Sequence, residues 1–178
     1  MKIFVIIGGI SKESINKKFF ELIKPLAPSE FEFDTFDISQ LPFFSQDLEE
    51  KEPEGVREFK RGIEKVEGII FITPEYNRAI PGVLKNAIDW GSRPECKSVW
   101  RDKAACVVGA SVGTTGAISA QMQLKETVSF LEMRVMYRPE VCFNFLEKVD
   151  KNGEIEEKGR ERVVEFLNRF KGWILKNK

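Results

Sequence analysis

Three short stretches rich in glycine, hydroxyl and amide side chains hold the residues of this 178-residue chain best suited to chemistry on a ligand. The first, Gly8-Gly9-Ile10-Ser11-Lys12-Glu13-Ser14-Ile15-Asn16, leaves an apolar run and enters a segment of helical period. Its glycines permit a tight turn, and Ser11, Ser14 and Asn16 stand beside the free N–H groups of a helix start, where an anion is favoured. Phosphate binding is one reading of this loop. An ordinary capped βα turn is the other, since neither GxGxxG nor GxxxxGK[ST] is present. The second stretch, Thr73-Pro74-Glu75-Tyr76-Asn77-Arg78-Ala79-Ile80-Pro81-Gly82, is stiffened by two prolines. Its backbone groups suit a planar heterocycle, with Tyr76 able to pack against a ring, although a rigid connection with one surface aromatic fits the same residues. The third, Ser111-Val112-Gly113-Thr114-Thr115-Gly116, is small and rich in donors.

Composition removes whole classes of mechanism. With no histidine in the chain, Ser-His-Asp and Cys-His catalysis and His-ligated metals are excluded. Cys96, Cys106 and Cys142 are widely spaced and form no CxxC pair, which indicates neither a disulfide framework nor a zinc site and fits a reducing cytoplasm. Cys96 and Cys106 read as small hydrophobes, with no activating motif beside them. The 28 Lys and Arg balance the 28 Asp and Glu, so no net field attracts a nucleic acid. No apolar stretch approaches the length of a membrane span.

The elements that must position the three loops follow from periodicity. Lys2 to Ile7, Gly68 to Thr73 and Ala104 to Gly109 are almost continuously apolar, as in parallel strands covered on both faces. Phe31 to Asp37 alternates apolar with polar, and Val135 to Phe143 contains Pro139, so both read as edge strands. Helical stripes intervene: Ile15, Phe19, Leu22, Ile23 and Leu26; Val56, Phe59, Ile63 and Val66; Leu84, Ala87 and Ile88 behind Pro81; Ala117, Ala120, Leu124, Val128 and Leu131; and Val163, Phe166, Leu167, Phe170 and Ile174. Val149 to Ile155 reads as an Asn-Gly hairpin turn. One α/β domain over residues 1–178 is expected, with a five-stranded parallel sheet of order 2-1-3-4-5 and helices on both faces, the flavodoxin-like three-layer sandwich. In that order the chain reverses direction between strands one and three. All three loops then lie at the carboxyl ends of strands, around the crevice where such sheets bind ligands.

The stretch TPEYNRAIPGVLKNAIDWGSR, residues 73–93, closely resembles the signature of NADPH-dependent FMN reductases, the flavodoxin-like group that includes chromate, quinone and azo-dye reductases. The resemblance extends to the first loop, with Ser14 and Asn16, and to S-x-G-x-x-G followed by an AQxxL helix at residues 111–124. It implies that Gly9, Ser11, Ser14, Ile15 and Asn16 surround the FMN phosphate. Pro74, Glu75, Tyr76, Asn77 and Arg78 would contact the isoalloxazine ring and ribityl side, and Ser111, Gly113 and Gly116 would lie near the ring's other edge. Gly9 stands where many members have serine, Ser11 where many have arginine, Arg78 where small or aromatic residues are common, and Ser119 where arginine is frequent.

The activity implied is hydride transfer from NADPH or NADH through FMN to a small acceptor in a ping-pong scheme, by a homodimer or homotetramer. The flavin carries the redox chemistry, so the missing histidine is no obstacle. Within the signature, Glu75 is expected to fix the loop through its backbone, and Asp89 and Trp90 to support the Arg93 loop or a subunit contact. A one-electron FMN carrier and a non-catalytic interaction module are the rival readings. Carriers usually present a strong charge for docking, which the neutral balance does not supply.

Overall fold

The computed structural model describes residues 1–177. Strands β1 (Lys2–Ile7), β2 (Glu32–Thr35), β3 (Gly68–Ile72), β4 (Ala104–Ser111) and β5 (Arg134–Met136) form a parallel sheet in the order β2-β1-β3-β4-β5. This is the flavodoxin-like order expected. One refinement concerns the edge: the fifth position is shared by β5 and a sixth strand, β6 (Cys142–Asn144), which pair with different halves of β4. The segment between them contains Pro139, which has no N–H to give a ladder.

Alternation along the strands divides the interior into two cores. Phe4, Ile6, Ile69, Phe71, Ala105 and Val107 face helices α2 (Glu54–Glu64), α3 (Gly82–Gly91) and α4 (Ile118–Phe130). Ile3, Val5, Ile70, Ile72, Cys106 and Val108 face α1 (Ile15–Ile23) on the other side. The same side is closed by the C-terminal helix, Glu157–Lys176, numbered α6 after the one-turn helix α5 (Phe145–Lys148). Strands covered on both faces read as unbroken apolar runs for this reason.

The helical stripes meet these cores with two adjustments. Helix α1 stops at Ile23, because Pro25 turns the chain into a short 3-10 segment over Lys24–Leu26. Pro81 caps α3 from an extended conformation, one residue before the helix begins. Asp150 accepts from the N–H groups of Asn152 and Glu154, and Val149 bridges Ile155, so the expected Asn-Gly turn forms.

The signature LKNAIDW acts chiefly within the fold. One turn apart on α3, Asn86 and Trp90 both donate to the Pro42 carbonyl, at 2.9 and 2.7 Å, while Asn86 Oδ1 accepts from Phe44 N–H. They clamp the segment that follows β2. Trp90 is fully buried, and its carbonyl accepts from Arg93 N–H at 3.3 Å, the expected support of the Arg93 loop. The Asp89 carboxylate pairs with Lys85 one turn back, while its carbonyl accepts from Ser92 N–H and Oγ beside Arg93.

Candidate active site

All three loops emerge at the carboxyl end of the sheet, and specific contacts join them. Asn16, at the start of α1, is buried with its amide bonded twice to Ala110 of β4: Nδ2 donates to the carbonyl and Oδ1 accepts from the N–H, both at 3.1 Å. This pair fixes the first loop over the end of β4. The carbonyl of Thr73, where the second loop starts, lies against Gly109 of the same strand.

In the first loop, Ser14 is the N-cap of α1, its Oγ accepting from Lys17 N–H at 3.3 Å. A Cβ at Gly9 would lie 2.3 Å from that oxygen, so the glycine lets the loop fold onto its own cap. The N–H groups of Gly9, Ile10, Ser11 and Lys12, and those of Ile15 and Asn16, have no acceptor among the described residues. Ser11 is exposed, and Ile15 partly so. A run of unpaired donors at the positive end of a helix favours an anion.

The second loop is a miniature hairpin. Tyr76 and Ala79 exchange both backbone hydrogen bonds at 3.0 Å, and the residues between them, Asn77 and Arg78, have φ of 51° and 65°. Two successive left-handed residues in a two-residue hairpin match the type I′ pattern. For arginine that backbone costs roughly 1–2 kcal/mol, which the surrounding structure must offset.

Both feet of the hairpin are anchored to α4. Glu75 Oε2 accepts from Ala120 N–H at 3.1 Å, and Ile80 N–H donates to Gln123 Oε1 at 2.9 Å. Glu75 therefore acts through its carboxylate as well, a correction to the expectation that it works through its backbone alone. Gln123 was no part of the sequence reading. Pro74 is buried beneath the hairpin, and Tyr76, Asn77 and Arg78 are exposed at its top.

The third loop has two parts. Ser111 Oγ donates to the Gly113 carbonyl at 3.0 Å, and Val112 to Thr115 are exposed. Gly116, at φ +55°, is buried with β6 so close that a Cβ would fall 2.4 Å from the Cys142 carbonyl carbon. It seats the loop rather than lining an open face. Gln121, also fully buried, holds it there by donating to the carbonyls of Gly116 and Val141 at 2.9 and 3.1 Å.

No thiol is poised to react in this region. Burial pushes the Cys106 thiol well up from its ordinary value and raises that of half-buried Cys142, so both stay protonated. Cys96 is exposed in a 3-10 turn, which corrects its reading as a packed hydrophobe. Among the described residues no cluster of metal-ligating side chains occurs. Among the described residues no helix is long and apolar enough to cross a membrane.

A strand-to-helix anion cradle, a stiff second loop and a donor-rich third loop are the parts a flavin mononucleotide site requires. The family model for NADPH-dependent FMN reductase matches residues 1–148. The chain belongs to that family. It is 40% identical to a 2-hydroxy-1,4-benzoquinone reductase of Burkholderia sp over 176 residues, covering 98% of this chain and 96% of the relative. A quinone reductase of Pseudomonas putida is 36% identical over the same length, with 98% and 95% covered. Among solved structures, the FerB flavoenzyme NAD(P)H:(acceptor) oxidoreductase of Paracoccus denitrificans superposes with a TM-score of 0.93 at 35% identity, covering 99% of this chain and 98% of the other.

Proposed function

We propose that this family member binds FMN with the first loop and uses NADPH or NADH to reduce small acceptors, quinones foremost. The carrying observation is the set of unpaired N–H groups of Gly9 to Lys12, Ile15 and Asn16 at the start of α1, whose donor chemistry fits the FMN phosphate. When bound, FMN supplies hydride acceptance from the nicotinamide and electron delivery to the acceptor. The chain's own part is placement. Glu75 and Gln123 hold the second loop, whose Tyr76 offers a flat exposed surface and whose Asn77 offers an amide at the ring's level. Ser111 and Gly113 border the opposite side, and Gly116 supports them from beneath.

With no histidine and with Cys106 and Cys142 protonated, no side chain here is tuned as a general base. Reduced nicotinamide and acceptor take turns at one exposed face, which makes the kinetics ping-pong. The quinone assignment is supported by the relatives whose names specify quinone reduction, at 40% and 36% identity.

The chain is further proposed to act in the cytoplasm as one domain, in a homodimer. The groove between α3 and α4, about 760 Å³ and bordered by the highly exposed Phe130, is the face a second copy would cover. Light scattering on the purified protein measures that assembly.

The decisive experiment is spectroscopic. The purified protein should be yellow, release FMN on denaturation, bleach anaerobically with NADPH or NADH, and recover its colour on addition of a quinone. A colourless protein that cannot be reconstituted with FMN overturns the reading. Flavin that is bound yet not bleached by either nicotinamide indicates a one-electron carrier instead.

A further inference from the structure

We propose that Arg78 selects anionic acceptors, ionised hydroxyquinones in particular, at the exposed face of the site; this rests on the quinone-reductase reading above. The residue is held at a defined place. Its backbone is fixed at φ 65° between the paired Tyr76 and Ala79, on a hairpin tied to α4 through Glu75 and Gln123. The side chain itself is 75% exposed. A rigid base carrying an exposed guanidinium presents a charge at a defined place without the ordering cost of a mobile loop.

The charge is also only loosely paired. Loops 8–16, 73–81 and 111–117 together carry only Lys12, Glu13, Glu75 and Arg78 as charged residues. Glu13 is engaged by Lys18 at 2.6 Å. Glu75 lies 3.9 Å from Arg78, a loose pairing, and its other oxygen takes the Ala120 N–H near the start of α4, where the helix end offsets a negative charge. Arg78 and Lys12 are left facing solvent around the site, and of the two only Arg78 stands on the anchored hairpin.

The chemistry that answers such a group is specific. A hydroxyl conjugated with a quinone carbonyl is a vinylogous carboxylic acid and is ionised at neutral pH. Its two neighbouring oxygens then match the planar fork of a guanidinium, as a carboxylate does. In unsubstituted 1,4-benzoquinone the oxygens lie at opposite ends of the ring, and one N–H can be accepted at a time. Reduction of the anion takes one hydride from NAD(P)H and two protons from solvent and yields neutral trihydroxybenzene, leaving NAD(P)⁺. Arg78 takes no part in that proton balance; it holds the anion and offsets the charge added with the hydride.

The test compares the flavin-loaded wild type with Arg78→Asn and Arg78→Lys. Asparagine is chosen because it tolerates the left-handed region, so the charge is removed while the hairpin keeps its shape. The quantity read is the ratio of kcat/KM for 2-hydroxy-1,4-benzoquinone to that for 1,4-benzoquinone. Arg78→Asn should lower this ratio at least ~10-fold, the equivalent of one charged hydrogen-bonded contact, and Arg78→Lys should retain part of it.

A second readout needs no turnover. Titrations with 4-hydroxybenzoate and 4-hydroxybenzamide, followed by the visible flavin absorbance, should show the anion bound more tightly by the wild type, with the difference lost in Arg78→Asn. A ratio and a binding difference that both survive Arg78→Asn overturn the proposal, as does a preference that vanishes only in Lys12→Ala. Failure of the underlying reading looks different: the wild type would bleach with NAD(P)H and reduce neither quinone, and the binding titrations alone would then decide the role of Arg78.

Discussion

A single missing methyl group governs the geometry of the first loop. Gly9 and the Ser14 hydroxyl occupy adjoining space, and a Cβ at Gly9 would sit 2.3 Å from Ser14 Oγ but an ordinary 3.5 Å from Ser14 Cβ. Gly9→Ala should therefore act by displacing the cap hydroxyl from Lys17 N–H, which costs about 1 kcal/mol in helix stability. On a Ser14→Ala background, where the hydroxyl is already gone, the same substitution should cost much less. Thermal denaturation of the FMN-free protein in a double-mutant cycle measures this, and costs that simply add would refute the coupling. Serine at position 9, common among relatives by the resemblance, would need a different Ser14 rotamer here. The first loop of this chain is thus tuned to its own residues.

At the scale of elements, the site depends on three ties between loops and scaffold: Asn16 to β4, Glu75 and Ile80 to Ala120 and Gln123 of α4, and Gln121 to the third loop. The first is buried, with Asn16 2% exposed. Asn16→Leu would leave the Ala110 N–H and carbonyl unpaired in the core. Each such group costs about 1–3 kcal/mol, so a loss of about 2–6 kcal/mol is expected, read as a lower urea midpoint at unchanged slope. No shift in midpoint would show that the α1-to-β4 tie carries no stability.

These ties mark the boundary of what was legible in the sequence. Strands β1, β3 and β4 and the sheet order were readable because a parallel strand buried on both faces has to be apolar throughout. The three loops were readable because glycine, serine and threonine gather where strands end. The left-handed pair Asn77-Arg78 was not, since a type I′ turn usually advertises itself with glycine and here is enforced by its anchors. Gln121 and Gln123 were also hidden in function: their partners are backbone groups 20 and 43 residues away, a pairing that no local spacing encodes. The division of the fifth strand turned on β4 being long enough to pair β5 with one half and β6 with the other.

For the molecule as a whole, the two cores and the site are spatially separate. The apolar clusters lie on either face of the sheet, while the loops that would meet a ligand stand at its carboxyl edge, exposed at Ser11, Tyr76 and Gly113 and buried at Gly9, Ser14 and Asn16. Loops with unpaired N–H groups add little to the stability of the free chain, so a ligand that pairs them stabilises the folded state by mass action. At a free FMN concentration 100-fold above its Kd the gain is about 2.7 kcal/mol, which for a chain of this size raises Tm by about 5–10 °C. The phosphate should dominate this shift, because the cradle at α1 offers charge-assisted hydrogen bonds worth about 1.5–3 kcal/mol each. Riboflavin has the same ring and ribityl chain without the phosphate. At the same concentration, in buffer free of inorganic phosphate, it should leave Tm within about 2 °C of the ligand-free value. Equal shifts with the two ligands would place the binding energy on the ring and deny the first loop its anion-binding role.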